Sequence, residues 1–368
     1  MRPFKYGSVV SGENFCPRPK LERELQEYAR NGQNLVIQGA RRMGKTSIVR
    51  HAIGSLKGMK LIYIDLYFIR TRSDLCEQIM YGVSKASEDI SFLKKVTGFV
   101  QRLRPTLAID PKDGSFSVTV DARAAAEPDS LNAVMEALAK ISADGKTCVV
   151  FDEFQDILNL GDADQILAKM RGVIQFQEHT PYFFTGSIRN QMMDIFCNPD
   201  KPFYKSALPF AVEEIDTVDF VRFLSGCFRK GERKISDLTL SKVIAFADGV
   251  TGDVQELCDA LWSVTEKGEE ITEARIPDAL DLIFSREIKG YEAIAQNLTS
   301  AQSVLLRALA EKADEKIYSA SFTARISLSP SSVKRVVEKL IALRLVYAHE
   351  KGFRFHDPFF REWLRRRR

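Results

Sequence analysis

Two clusters of residues in this 368-residue chain carry recognisable chemistry. The first is Gly39-Ala40-Arg41-Arg42-Met43-Gly44-Lys45-Thr46, followed by Ser47. Its spacing is G-x-x-x-x-G-K-[ST], a loop whose glycines let the backbone wrap a phosphate without Cβ clashes. Backbone N–H groups and the N-terminus of the helix that follows then face the anion. Lys45 reaches the outer phosphates, and the Thr46 hydroxyl ligates Mg²⁺. Arg41 and Arg42 either add positive potential near the phosphates or form a solvated loop face. The second cluster is VVFDEFQ at 149–155, an apolar run ending in two acids. Asp152 is placed to hold Mg²⁺, directly or through water, and Glu153 to orient and deprotonate an attacking water. Alone, the pair reads equally as a cap for the next helix. Beside a phosphate loop it supplies the metal anchor and the base that ATP hydrolysis needs. A third stretch is Thr185-Gly186-Ser187-Ile188-Arg189. There Ser187 or Thr185 can sense the terminal phosphate, or Ser187 can cap the helix that follows.

The elements that position these residues follow from apolar runs and turn signals. Strands are expected over 34–38, 60–65, 146–151 and 182–185, and a fifth over 210–215. Helices are expected over 45–56, 73–88 and 161–177. Strands alternating with helices imply an α/β fold with a mostly parallel sheet covered on both faces. An insertion at 107–121 contains Asp113-Gly114 between two alternating runs, a hairpin signal. It is either decoration or a contact surface. After residue 206 the pattern is helical only, over 216–229, 236–248, 253–265 and 272–294. The final segment gives three helices, 301–313, 319–326 and 331–343. Short strands at 345–347 and 353–355 then complete the layout of a winged helix. The domains expected are an ATPase core at 1–205, a helical lid at 206–297 and a winged-helix domain with a basic tail at 298–368.

Composition limits the alternatives. Apolar residues make up 45% and charged residues 28% of the chain, an ordinary globular balance. No apolar run approaches the ~18 residues a membrane helix requires. The first fifteen residues contain no apolar h-region, which argues against a secretory signal. Six scattered cysteines show no metal-ligand or disulfide spacing, as expected of a cytoplasmic protein. The formal charge of +4 is uneven: from Ala301 onward there are 15 Lys and Arg against 7 Asp and Glu. A basic C-terminal module on a neutral body is the natural reading.

The segments FCPRPKLERELQEYARNGQNLVIQGARRMGKTS, YIDLY, VVFDEFQDI, FFTGSIRNQM and FHDPFFREWL together resemble the prokaryotic P-loop ATPases called the archaeal ATPase family, within the AAA+/STAND group. The resemblance spans nearly the whole chain. It implies a P-loop NTPase core of AAA+ type, a helical lid and a C-terminal winged helix, with ATP and Mg²⁺ as ligands. It implies that Arg18 lies near the adenine pocket. It offers Arg171 as a trans-acting arginine finger, although that residue also suits a helix C-terminus. At the lid motif Thr251-Gly252-Asp253-Val254-Gln255, where many relatives carry a sensor arginine, this chain has Gln255. Arg189 is then the candidate for an arginine acting in cis.

In the winged helix, Ser332, Lys334, Arg335 and Lys339 on the third helix, with Lys351 and Arg354 in the wing, form a candidate nucleic-acid contact. The same module can instead bind a protein or clamp the ATPase. The leading expectation is therefore a slow, Mg²⁺-dependent ATPase that switches a winged-helix effector contacting DNA or a protein. The alternatives are an oligomeric DNA-associated AAA+ loader or regulator and a non-catalytic ATP-binding scaffold.

Overall fold

The computed structural model describes all residues except 1, 87–96, 99–100, 102–103, 105, 110–115, 120, 126, 128, 144, 188, 312–315, 350–351 and 368. The chain forms two compact units, Ser11–Glu213 and Glu214–Arg368 together with Met1–Val10.

The strands of the first unit are β1 (Leu35–Gln38), β2 (Lys60–Asp65), β3 (Thr106–Ile109), β4 (Phe116–Thr119), β5 (Thr147–Asp152), β6 (Tyr182–Gly186) and β7 (Leu208–Ala211). Five of them build an all-parallel sheet in the order β2-β5-β6-β1-β7. The central strands β5 and β6 are buried at every residue, as strands covered on both faces must be. The edge strand β7 carries Pro209, which an interior strand would not tolerate. It begins two residues earlier than the apolar pattern suggests and lies beyond residue 205, within the core.

The helices are α1 (Pro19–Arg30), α2 (Lys45–Gly54), α3 (Arg72–Lys85), α4 (Ala122–Ala125), α5 (Ser130–Ser142), α6 (Ala163–Ile174) and α7 (Arg189–Cys197). Right-handed crossovers put α2 on one face of the sheet and α3, α5 and α6 on the other, because their strands advance in opposite directions. The second face buries Val36, Ile64, Phe151 and Phe184 against Ile79, Leu138 and Leu167. Helix α5 was not anticipated, although Leu131, Val134, Met135 and Leu138 repeat at helical spacing and are all buried. The hairpin pairs Ile109 with Phe116; its expected Asp113-Gly114 turn lies outside the described residues.

An aromatic cluster anchors the end of β5. Phe154 packs against Phe151, Phe184, Phe196 and Phe203 with ring centroids 4.7 to 5.9 Å apart. It pins the 3₁₀ turn Phe154–Asn159 that begins immediately after Glu153.

In the second unit, α8 (Thr217–Lys230), α9 (Asp237–Phe246), α10 (Thr251–Ser263) and α11 (Ile276–Gln296) form the helical part. A short parallel pair, β8 (Lys234–Ile235) with β9 (Glu270–Ile271), interrupts what the sequence suggested was helix alone. The N-terminal residues strap onto these helices: the Phe4 ring lies 4.7 Å from Phe228, and Arg2 pairs with Asp259 at 3.1 Å. The winged helix comprises α12 (Ser300–Glu311), α13 (Ala320–Arg325), α14 (Pro330–Ala342) and the antiparallel pair β10 (Val346–His349) and β11 (Gly352–Phe355). A last helix, α15 (Pro358–Arg366), occupies what read as a basic tail. Asp357 caps it, and Phe359, Phe360, Trp363 and Leu364 bury its inner face.

Phe184→Ala, which empties the centre of the aromatic cluster, is expected to lower the stability of the first unit by about 3–5 kcal/mol. Urea unfolding checks this, and an unchanged midpoint would contradict the packing described.

Candidate functional site

The parallel strands deliver their C-terminal ends to one edge of the sheet, the usual place for a ligand in an open α/β fold. There β1 runs into the loop 39–44. Gly44 has φ +81°, a left-handed conformation that suits glycine. A Cβ on Gly39 would fall 2.9 Å from the Val212 carbonyl oxygen, so the loop fits only with glycine there. Helix α2 then begins at Lys45. Lys45 is 7% exposed, and its Nζ donates to the carbonyls of Gly39 and Ala40, each at 3.0 Å. Burial pulls its pKa below the ordinary lysine value, and the charges of Glu153 and Asp152 oppose that fall. Arg41 is exposed, Arg42 half-buried and Ser47 buried.

Strand β6 lies between β1 and β5, so its end sits between the loop and the acids. The buried Asp152 carboxylate is the meeting point. Thr46 Oγ1 donates to it at 2.6 Å and the Glu153 amide at 3.0 Å. The hydroxyls of Tyr63, from β2, and Thr185, from β6, also donate to it. Burial raises the Tyr63 pKa first, and the neighbouring Asp152 charge and hydrogen bond raise it further. The Arg50 guanidinium covers the Tyr63 ring at 4.7 Å. Tyr63 was not singled out from the sequence; a lone tyrosine in the apolar strand KLIYID was the available signal.

Glu153 has φ +50°, a left-handed conformation uncommon for a side-chain-bearing residue. Its Oε2 accepts from Gln155 Nε2 at 2.6 Å, Ser187 Oγ at 2.8 Å and the Ser187 amide at 3.3 Å. Ser187 therefore meets the second acid, while Thr185 meets the first. Gln155 is 2% exposed, donates also to Asp156 at 3.1 Å, and keeps an Oε1 with no hydrogen-bond partner. Its part was not legible from the run FDEFQ alone.

The donor set fits a nucleotide with Mg²⁺: a glycine-shaped loop at a helix N-terminus, a lysine, and one hydroxyl joined to one carboxylate. Mg²⁺ keeps most of its sites for phosphate oxygens and water, so two protein groups suffice. Among the described residues no cluster of three or more His, Cys, Asp or Glu forms a separate metal site.

The remaining candidates are dispersed. The buried Arg18 guanidinium donates to the carbonyls of Met43 at 2.8 Å and Glu213 at 3.2 Å, so it grips the loop's backbone. Arg171 is half-buried in the last turn of α6. That helix returns toward the start of β6, so the fold does not bring Arg171 to the loop of its own chain. Arg189 opens α7. In the second unit Gln255 is buried and accepts the Lys5 amide at 3.3 Å. On α14, Lys334, Arg335 and Lys339 face outward, Ser332 is half-buried, and Val333, Val337 and Leu340 face inward. Lys351 lies outside the described residues. Arg354 does not join that face: it is an ion-pair partner of Asp248 at 3.8 Å, which Arg361 also meets at 3.0 Å.

The Lys45 charge supplies a pH prediction. An anion bound by Lys45⁺ loses affinity once the free lysine deprotonates, and burial brings that point below the ordinary value of about 10.4. Affinity for inorganic triphosphate is expected to fall as pH rises from 8 toward that value, with the decline flattened in Lys45→Arg. Titration calorimetry checks it; a profile as steep in the variant would contradict the assignment.

No curated protein matches the chain. The family model "Probable winged helix domain" matches residues 289–366. Among solved structures, the Walker-type ATPase PABY2304 of Pyrococcus abyssi is similar over 99% of both chains, with a TM-score of 0.69 and 19% identity. The Aeropyrum pernix ORC2 protein, as ADPNP–ADP complexes, is similar over 99% of this chain and 96% of its own, with a TM-score of 0.56 and 14% identity. With the strand order and the loop geometry, these likenesses show the fold: a parallel α/β core of the P-loop NTPase kind, followed by a helical part and a C-terminal winged helix.

Proposed function

We propose that the protein binds ATP with Mg²⁺ and hydrolyses it slowly, as a switch whose nucleotide state is passed to the winged helix. The observation that carries this reading is the 2.6 Å hydrogen bond from Thr46 to Asp152, with Glu153 next in sequence. It joins the phosphate loop to the acid strand at the point where Mg²⁺ chemistry requires a hydroxyl and a carboxylate together. The ORC2 structure in its ADPNP–ADP complexes supports the ligand class by analogy of fold.

In this reading Lys45 and the amides of 39–47 bind the phosphates, and Thr46 and Asp152 hold the metal. A Mg²⁺ ion held by Thr46 and Asp152 would supply charge neutralisation to the bound phosphates. Tyr63 and Thr185 fix the Asp152 carboxylate. Glu153 takes the proton from the attacking water, while Ser187 and Gln155 orient its carboxylate. Three donors on one oxygen of Glu153 hold its carboxylate in a single orientation. Gln255, its oxygen occupied by the Lys5 amide, supports a lid that adds no cation to the phosphates.

The surface offered to a partner is the outward face of α14, with Lys334, Arg335 and Lys339. It suits duplex DNA or an acidic protein. The wing arginine Arg354 and the tail arginines serve instead to clamp α15 and the wing to the helical part: Arg366 pairs with Asp281 at 2.6 Å and Arg367 with Glu292 at 2.8 Å. Six free cysteines, five of them buried, support a reducing cytoplasmic setting.

Steady-state hydrolysis tests the reading. Glu153→Gln is expected to lower turnover by at least about 100-fold while ATP still binds. Lys45→Ala is expected to lose ATP binding. Turnover in Glu153→Gln equal to wild type would sink the proposal. If the partner is duplex DNA, replacing Lys334, Arg335 and Lys339 with Ala makes the salt dependence of binding shallower, by about 0.9 for each phosphate no longer neutralised. Replacement of Arg366 and Arg367 is expected to leave that slope unchanged.

A further inference from the structure

The chain passes covalently between the two units at Val10–Ser11 and at Glu213–Glu214. The second crossing is tied to the phosphate loop more closely than a neutral linker needs to be. The Val212 amide donates to the Gln38 carbonyl at 2.7 Å, one residue before the loop. The Val212 carbonyl oxygen lies where a Cβ on Gly39 would be, at 2.9 Å. Arg18 then spans the two segments, one Nη donating to Met43 within the loop and the other to Glu213, the last residue of the unit. On the far side of the crossing, within the second unit, the Glu214 carboxylate rests on Gly249; a Cβ there would meet it at 2.5 Å. The preceding residue, Asp248, is the acid that receives Arg354 and Arg361 of the winged-helix segment.

A guanidinium that is only 7% exposed is costly to keep unless its geometry is used. Here it is used on two carbonyls belonging to segments far apart in sequence, Met43 and Glu213, through a planar fork that a lysine cannot copy. The loop has reason to change shape. Lys45 holds the Gly39 and Ala40 carbonyls, and a phosphate that recruits its ammonium releases both.

We propose that Arg18 is a positioning residue that couples the phosphate loop to the Glu213–Glu214 crossing, so that loading of the loop is transmitted to the unit bearing the winged helix. This rests on the reading of the loop as an ATP site. Arg18 thereby acts through the backbone of Met43 and Glu213 rather than by contact with the base.

Two-colour energy transfer tests it. One dye is placed on Cys197, the exposed native cysteine, and the other on an introduced cysteine, Ser331→Cys, on the exposed start of α14. Binding of a fluorescent ATP analogue is measured in parallel. The wild type is expected to bind the analogue and change its transfer efficiency on adding Mg²⁺–ATP. Arg18→Ala is expected to bind within about tenfold of wild type, roughly one charge-assisted hydrogen bond, and to lose most of that change. Arg18→Lys, with a single donor group, is expected to lose at least half of it; it decides the question if the alanine variant does not fold. A full transfer change in Arg18→Lys or Arg18→Ala would overturn the coupling, as would a wild type that binds the analogue without any change. A wild type that shows no binding at all would overturn the ATP reading itself, and the parallel titration separates that failure from the other.

Discussion

Everything at the C-terminal edge of the parallel sheet is organised around one buried carboxylate. Asp152 accepts from Thr46 of α2, Tyr63 of β2, Thr185 of β6 and the amide of Glu153. These groups come from four segments of the chain, and a carboxylate removed from water must satisfy its lone pairs with protein donors. The strand order makes this possible: β5 lies between β2 and β6, so hydroxyls from both neighbours reach its last residue. Beyond it the chain turns through the left-handed Glu153 and is fastened by Phe154 in the aromatic cluster. Asp152 is thereby held by hydrogen bonds, and Glu153 by hydrogen bonds from Gln155 and Ser187 together with the packing of its neighbour Phe154.

The second unit resolves the charge asymmetry of the chain. The excess of cations after residue 300 is not a uniformly solvated patch. Arg354 and Arg361 converge on Asp248, while Arg366 and Arg367 reach Asp281 and Glu292 of the helical part. Tyr291 adds a hydrogen bond to Asp357 at 3.0 Å, and its ring packs on Phe360 and Trp363. The cations of α14 are left facing outward because the apolar face of that helix, Val333, Val337 and Leu340, is needed for the winged-helix core. One sequence-level quantity, net charge, thus divides into structural ion pairs and an open face.

What was legible in the sequence was what is encoded locally. The glycine spacing at 39–44, the run ending in Asp152-Glu153 and the alternation of strand and helix each lie within a short window, and each is found in the fold. Tyr63 and Gln155 escaped because their meaning depends on register with a neighbouring strand and on a turn, neither of which a single segment displays. Helix α15 escaped for a different reason: its arginines resembled a low-complexity tail, although Asp357, Pro358 and the spacing of Phe359, Phe360 and Trp363 were start and face signals. The wing arginine Arg354 looked like part of an open cationic surface because its acid partner lies more than a hundred residues earlier.

The N-terminal strap has a consequence for how the molecule is made. Residues 2–6 are held by Phe228, Gln255, Asp259 and Trp262, partners up to 257 positions later. On a ribosome, Phe4 is made before the whole of Ser11–Glu213, which can close around its own sheet before the partners of Phe4 are synthesised. The second unit is completed only when the chain returns to its beginning. That closure waits for residues 228–262, and a long-range closure of this kind is slow relative to local helix formation.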